Sequence, residues 1–524
     1  MTAPTADRRP TGSHEADVAD LAEHGYAQRL NRSLGSFSSF AAGFSYISIL
    51  TGMFQLFGFG YGFGGPVFFW SWIVVFAGQF CVALMFAELS ARFPIAGSVY
   101  QWSKKVGGRG TSWMAGWTML VGSIVTVAAV AIAWQIVLPS IWSQLQFFDS
   151  GDATKDYVRN AVLLGTVLII ITTVINVLGV KVMSKINNVG VLAELIGVAI
   201  ILVLLLAHAR RGPQVVFHSE GAGPGLPGYD SFGILIPLLM GAVMPAYVMF
   251  GFDTAGSLAE ETKDPRKTTP KALLRALAAA GFSGLLLLLF ALMASKDLAL
   301  DKLGVGGLPS VLDDALGSGG AKLVLIDVAI AIFVCCLAIQ AAAIRIAFSM
   351  ARDHALPLGD GLSHVSESRH APAAPALVSG AVAILILLVN VGNSKLFLVV
   401  TSVSIILVYI AYLMVTVPTF LRRRTGWPED DGRTGLFTLP RPWGVVINVA
   451  AIAYGSLMAL NLIWPRHEIY GAGNYQWGGV LAVGVVLVVG LAYYYGVQQH
   501  KPDRIVEEHR VLSASGADTD TGGA

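Results

Sequence analysis

Long apolar stretches, separated by short polar ones, repeat along the whole length of this chain. Runs of mostly apolar residues, about 20 long as a bilayer-spanning helix requires, fall at 37–60, 66–90, 112–143, 158–179, 187–208, 231–258, 270–294, 321–350, 374–391, 396–420, 442–464 and 477–497. The connections are short, as in a compact helical bundle. The run at 112–143 is long enough to tilt or to pass beyond the bilayer. The pattern predicts an all-α polytopic membrane protein with about twelve transmembrane helices between a polar tail at 1–34 and another at 501–524.

Charge patterning orients the bundle, because cytoplasmic loops are enriched in Lys and Arg. The first tail holds Arg8, Arg9, Arg29 and Arg32, and the loop after the second run holds Arg92, Lys104, Lys105 and Arg109. Later loops on the same side hold Lys181 and Lys185, then Lys263, Arg266, Lys267, Lys271 and Arg275, then Arg352 and Arg369, and finally Arg422, Arg423, Arg424, Arg433 and Arg441. Opposite loops carry Asp149, Asp152 and Asp156, or Asp297, Asp301, Asp313 and Asp314, with Arg210 and Arg211 the main exception. Both termini are therefore expected in the cytoplasm, with the bundle in the inner membrane.

Composition agrees. Hydrophobic residues make up 55% and charged residues 13%, with a mean hydropathy of +0.65; a soluble domain carries about 25% charge. The 58 glycines suit membrane helices, where Gly is commoner than in soluble ones. A net charge of +2 gives no ground for nucleic-acid binding. Cys81, Cys335 and Cys336 lie inside apolar runs without CxxC spacing or a nearby His. They are expected to be buried spectator thiols, with no disulfide, metal or cofactor. Met1 to Arg32 lacks the apolar core of a signal peptide and is expected to be a partly disordered tail.

Two runs are not plain spans. The first contains Ser45-Tyr46-Ile47-Ser48-Ile49-Leu50-Thr51-Gly52, where small hydroxyls and a glycine let a helix unwind. Backbone freed at membrane depth must be satisfied by protein, water or ligand, and a half-helix N-terminus suits a carboxylate. The same residues also fit a small-residue stripe for close helix packing. The sixth reads Met244-Pro245-Ala246-Tyr247-Val248-Met249-Phe250-Gly251-Phe252-Asp253-Thr254-Ala255-Gly256. Pro245 removes a helix hydrogen bond and Gly251 permits unwinding. Freed carbonyls there could accept from an ammonium group, and the aromatics could cover a solute. Asp253 at this depth is a functional candidate or a cap for the half-helix 254–262. The two interrupted runs, with breaks expected at Thr51-Gly52 and Phe250-Gly251, are five spans apart, the spacing of a five-plus-five inverted repeat that would bring both breaks to the midplane.

Three motifs carry a family resemblance. The stretch from Gly251 to Pro270 (GFDTAGSLAEETKDPRKTTP) resembles the sixth-helix signature of amino acid–polyamine–organocation transporters. Ala87 to Trp102 (AELSARFPIAGSVYQW) is similar to their segment after the second helix, and Arg345 to Pro357 (RIAFSMARDHALP) to the end of their eighth. The resemblance covers roughly residues 35 to 500 and is greatest to amino acid/choline permeases, which include carriers of 4-aminobutyrate. It implies a five-plus-five inverted-repeat (LeuT-like) fold with broken helices one and six, alternating access, and a central site among helices one, three, six, eight and ten. The repeats would occupy 35–210 and 211–425, with helices eleven and twelve at 426–500. Carried over by motif, Ser48, Ile49, Thr51 and Gly52 would hold a substrate carboxylate. Tyr247, Val248, Phe250, Gly251, Phe252 and Asp253 would surround the amino group, with Tyr247 as a gating aromatic. Leu50 departs from the pattern, standing where another glycine is common.

Two further charges lie in apolar surroundings. Glu194 falls where some proton-coupled relatives carry a lysine in place of sodium. Burial disfavours a charged carboxyl, so Glu194 is a candidate proton carrier, a permanent ion-pair member or a protonated structural acid. Arg345 is expected to pair with Glu194 or Glu88, or to snorkel. Glu260 and Glu261 are expected at an inner gate. Sodium coupling is disfavoured, because Ile330 to Phe348 contains no Ser or Thr and thiols are poor ligands for hard cations. The expected activity is proton-coupled import of an amino acid or related amine. The alternatives are obligate exchange without an ion or a non-transporting membrane receptor; no nucleophile or metal motif suggests an enzyme.

Overall fold

The computed structural model describes residues 14–366, 371–389, 396–428, 435–470 and 473–501. Arg8, Arg9, Arg369, Arg433 and nearly all of the second tail lie outside them. Apart from short turns, the helices are α1 (His14–Glu23), α2 (Ser36–Ile47), α3 (Ile49–Gly64), α4 (Phe69–Arg92), α5 (Ser98–Gly107), α6 (Arg109–Ala131), α7 (Ala133–Ile141), α8 (Ala153–Val177) and α9 (Val180–Ala207). They continue as α10 (Leu235–Val248), α11 (Thr254–Ser257), α12 (Pro265–Ala294), α13 (Leu300–Arg352), α14 (Ala373–Val389), α15 (Leu396–Arg424), α16 (Arg441–Ile463) and α17 (Gly478–Gly496). Among the described residues the one β pairing is an isolated parallel bridge between Leu34 and Thr262. Nine helical stretches among them are long and apolar enough to cross a bilayer. The protein is an all-α, multi-pass membrane bundle.

The side-chain pattern of α9 shows how such a helix sits. Val189, Leu192, Ile196, Ile200 and Val203 are 51–71% exposed and recur every three or four residues, forming one outward apolar stripe. The opposite face buries Asn187, Gly190, Val191, Glu194, Val198 and Ile201. The polar Asn187 and Glu194 thus turn inward with the small and apolar residues, while the outward stripe is apolar, unlike the polar outer face of a soluble helix.

The structure corrects one expectation here and refines others. The first interruption falls at Ser48 (φ 36°, ψ 95°), between α2 and α3, whereas Thr51 and Gly52 are helical. Gly52 instead serves close packing: a Cβ there would stand 2.5 Å from Val248 Cγ2. The run expected at 321–350 belongs to a helical stretch from Leu300 to Arg352, whose backbone turns at Gly307 and Gly317; these turns separate its polar start from the membrane-length part. Arg210 and Arg211, the exception to the charge pattern, have a local role. The Arg210 N–H donates to the Met293 carbonyl and Arg211 Nη1 to Ser295 O at 2.8 Å, so they serve the orphan carbonyls at the end of α12.

Within the first tail, the described residues 14–34 are folded against the bundle. From α1 onward the tail lies on the basic end of the bundle, with Leu21, Tyr26, Leu30 and Leu34 buried. Gln28 Nε2 donates to Glu260 O at 3.1 Å and Arg32 Nη1 to Thr262 O at 2.9 Å. The Arg352 guanidinium stacks 4.0 Å from the Tyr26 ring centre. A polar composition predicts disorder only where no partner exists, and here the loop after Asp253 supplies one.

Candidate functional site

Ser48 is the hinge of the first interruption, and the groups freed there are taken up by Glu194 from α9. Glu194 Oε1 accepts from Ser48 Oγ at 2.9 Å and from the Leu50 N–H at 3.2 Å. Ser48 Oγ and Thr51 Oγ1 lie 2.6 Å apart, and the Thr51 N–H donates to Ser48 Oγ at 3.4 Å. A carboxyl from another helix therefore caps the N-terminus of α3, where the helix dipole favours negative charge. The other oxygen, Glu194 Oε2, is buried with no hydrogen-bond partner. On the far side of the hinge, the Cys335 thiol donates to Tyr46 O at 3.4 Å, so one cysteine expected to be a spectator supports the break.

The second interruption spans Met249 to Asp253, between α10 and α11. Gly251 has φ +88°, and a Cβ there would fall 1.9 Å from the Tyr46 ring, so the position demands glycine twice over. The Gly251 N–H donates to the Tyr412 hydroxyl at 3.0 Å. That hydroxyl donates to Asp253 Oδ1 at 2.6 Å, and Ser98 Oγ donates to Asp253 Oδ2 at 2.8 Å. Asp253 makes no side-chain cap to α11, which corrects the capping expectation. Its carboxyl ties the break to α5 and α15.

The two interruptions meet. Gly52 lies against Val248, and Tyr46 packs edge-on to Phe250 with ring centres 5.8 Å apart. Phe250 is likewise edge-on to Tyr247, whose hydroxyl donates to Gln55 Oε1 at 3.3 Å. Beside them the Ser45, Tyr46 and Ser123 hydroxyls are buried without a hydrogen-bond partner; that of Tyr46 approaches Ser123 and Thr126 of α6. Buried orphans of this kind are rare in native interiors. The structure thus gathers Ser48, Ile49, Thr51, Gly52, Glu194, Tyr247, Val248, Phe250 and Gly251 around one place. Phe252 turns away, between Phe86 and Tyr412, and Asp253 is committed to Ser98 and Tyr412.

Arg345 is elsewhere, and its expected partners were wrong. Its Nε and Nη2 donate to Glu261 Oε2 and Oε1, both at 3.1 Å. Glu88 pairs with Arg423, and Arg352 grips Glu260 through two bonds of 2.9 and 3.1 Å. These three buried pairs lie at the basic end of the bundle. Sequence reasoning missed Tyr412, Ser98 and Gln55, each an ordinary residue in its own helix; their roles arise only from pairing across the bundle. Among the described residues no group of His, Cys, Asp and Glu could hold a metal ion.

Comparison with known proteins decides the family. The amino acid permease family model matches residues 34–489. The chain belongs to the amino acid permease family. Related permeases include amino-acid permease BAT1 of Arabidopsis thaliana, 27% identical over 92% of this chain and 94% of its own. Its homologue in Oryza sativa subsp. japonica is 26% identical over 88% and 91%. The methylthioribose transporter of Bacillus subtilis is 28% identical over 74% of this chain and 83% of its own. Membership makes this permease a membrane transport protein for an amino acid or amine and not an enzyme.

Proposed function

We propose that this permease is a secondary active importer of an amino acid or related amine, working by alternating access and coupled to protons through Glu194. The observation that carries the reading is the Glu194 carboxyl at the first interruption, with one oxygen on Ser48 and Leu50 and the other buried unpartnered. A substrate carboxylate arriving at the start of α3 would compete with Glu194 for the same donors. Two carboxylates at one helix N-terminus repel, so the arriving charge drives proton uptake by the resident one. That is a direct physical link between solute and proton.

The reading includes a five-plus-five topology of twelve crossings. The 57-residue stretch Ser36–Arg92 counts as two, and the shorter apolar helices Leu235–Val248 and Ala373–Val389 each as one beside the remaining eight. Both termini are then cytoplasmic, in the inner membrane, and the Glu260–Arg352 and Glu261–Arg345 pairs form an inner gate. Tyr46, Tyr247 and Phe250 would enclose the solute. Sodium has no hydroxyl pair on α13 between Ile330 and Phe348 to bind it.

Purified protein in liposomes tests the reading. With an inward pH gradient it should accumulate a labelled amino acid or amine found by a thermal-shift screen, since a ligand of the folded state raises apparent stability. The screen should include 4-aminobutyrate, choline and methylthioribose. A protonophore should abolish accumulation. Uptake that needs internal substrate and ignores the gradient would instead establish exchange.

A further inference from the structure

A cavity of about 250 Å3 opens at the basic end of the bundle between α2 and the start of α12. Ser36 and Phe40 line one side, and Lys267, Thr268, Lys271 and Arg275 the other. The three cations recur at every fourth residue, so they stand in one row about 12 Å long on a single helix face. One carboxylate, Asp264, also lines the cavity and approaches Lys267 at 3.9 Å. Lys271 and Arg275 have no ion pair among the described residues. Three cations against one carboxylate leave a site for an anion.

The row continues into the apolar part of the helix. Lys267, Lys271 and Arg275 are exposed, and the next strongly exposed positions on that face are Phe282 at 60% and Leu286 at 40%. Phe282 is about 10 Å beyond Arg275 along the axis, a depth reached by acyl chains rather than headgroups. Snorkelling explains a single Lys at a helix end, but not three in register facing a cavity and followed by outward apolar residues. Phe37, 46% exposed, adds an aromatic side chain at the level of the cations.

We propose that this cavity is a binding site for an anionic phospholipid, with its phosphate held by Lys267, Lys271 and Arg275 and its acyl chains along Phe282 and Leu286. The site joins α2, which leads directly to the Ser48 hinge, to α12. Basic pockets between membrane helices bind lipid headgroups in this way. The continuous apolar track favours a membrane lipid over a soluble phosphate.

Native mass spectrometry of the full-length protein, titrated with phosphatidylglycerol or phosphatidylcholine, tests it. The wild type should retain phosphatidylglycerol in preference to phosphatidylcholine. Each Lys or Arg replaced by Gln should lower that affinity about fivefold, and the triple variant K267Q/K271Q/R275Q should lose the preference. All three positions are exposed, and unchanged thermal melting in detergent would verify folding. R424Q, an exposed cation elsewhere at the same end, should bind like the wild type. Undiminished phosphatidylglycerol retention by the folded triple variant would overturn the proposal. So would equal retention of both lipids, or displacement of the lipid by millimolar inorganic phosphate, which would make the site one for a free anion.

Discussion

Arg345 and Glu261 illustrate how costly a single side chain becomes at this depth. Both are buried and doubly hydrogen-bonded, so removing either strands the other without its counter-charge. Arg345→Ala or Glu261→Ala should cost about 3–5 kcal/mol, read as lost thermal stability in detergent. The double replacement should cost less than the sum of the two; strict additivity would mean that the pair does not act as a unit. Gly251 is constrained differently. Gly251→Ala meets a left-handed backbone, worth about 1–2 kcal/mol, and also the Tyr46 ring. It should abolish transport, whereas Gly35→Ala, where a Cβ meets nothing within 4 Å, should leave uptake near wild type. His24, in the tail, has a pH signature. Its burial, then the nearby Lys105 and Arg266 charges, push its pKa down to about 4. The folded state therefore binds the proton less readily than the unfolded one. Its contribution is fully present above the unfolded value of about 6.5 and is lost as pH falls toward 4, by at most about 3 kcal/mol. Melting curves between pH 7 and 4 should fall less steeply for His24→Phe than for the wild type.

Among the elements, the first span is the most informative. Its interruption was legible because hydroxyls and a glycine gather at mid-span, but the hinge lies at Ser48 rather than at Thr51-Gly52. The reason is tertiary: Glu194 supplies a cap for the Leu50 N–H, which fixes where α3 can begin. Composition cannot reveal which of several breakable positions another helix will cap. Gly251 was easier, because few residues other than glycine adopt its backbone and Pro245 already weakens the helix before it. Asp253 was legible as unusual but not in role, since Ser98 and Tyr412 come from segments 155 and 159 residues away. The tail segment shows the same dependence. Its strap across the loop after α11 predicts that deleting residues 14–34 will lower thermal stability and loosen the basic end. Increased proteolysis of the 258–264 loop would register that loosening, and unchanged cleavage would contradict it.

For the whole molecule, long apolar runs and basic loops made the membrane class readable, because the bilayer demands both the length and the charge bias. The three motifs at 87–102, 251–270 and 345–357 carry the permease resemblance without any knowledge of packing. What remained hidden was how the first interrupted helix uses one buried acid, the Glu194 carboxyl that reaches the start of α3 from α9. The proposed function requires that this acid couple solute to proton. The most direct test compares wild type and Glu194→Gln in proteoliposomes, measuring pH-driven uphill uptake and, in parallel, gradient-free counterflow of the same solute. Glu194→Gln should lose uphill accumulation and its pH dependence while retaining counterflow, because the amide can still accept from Ser48 and Leu50. Full pH-driven accumulation by that variant would contradict the claim.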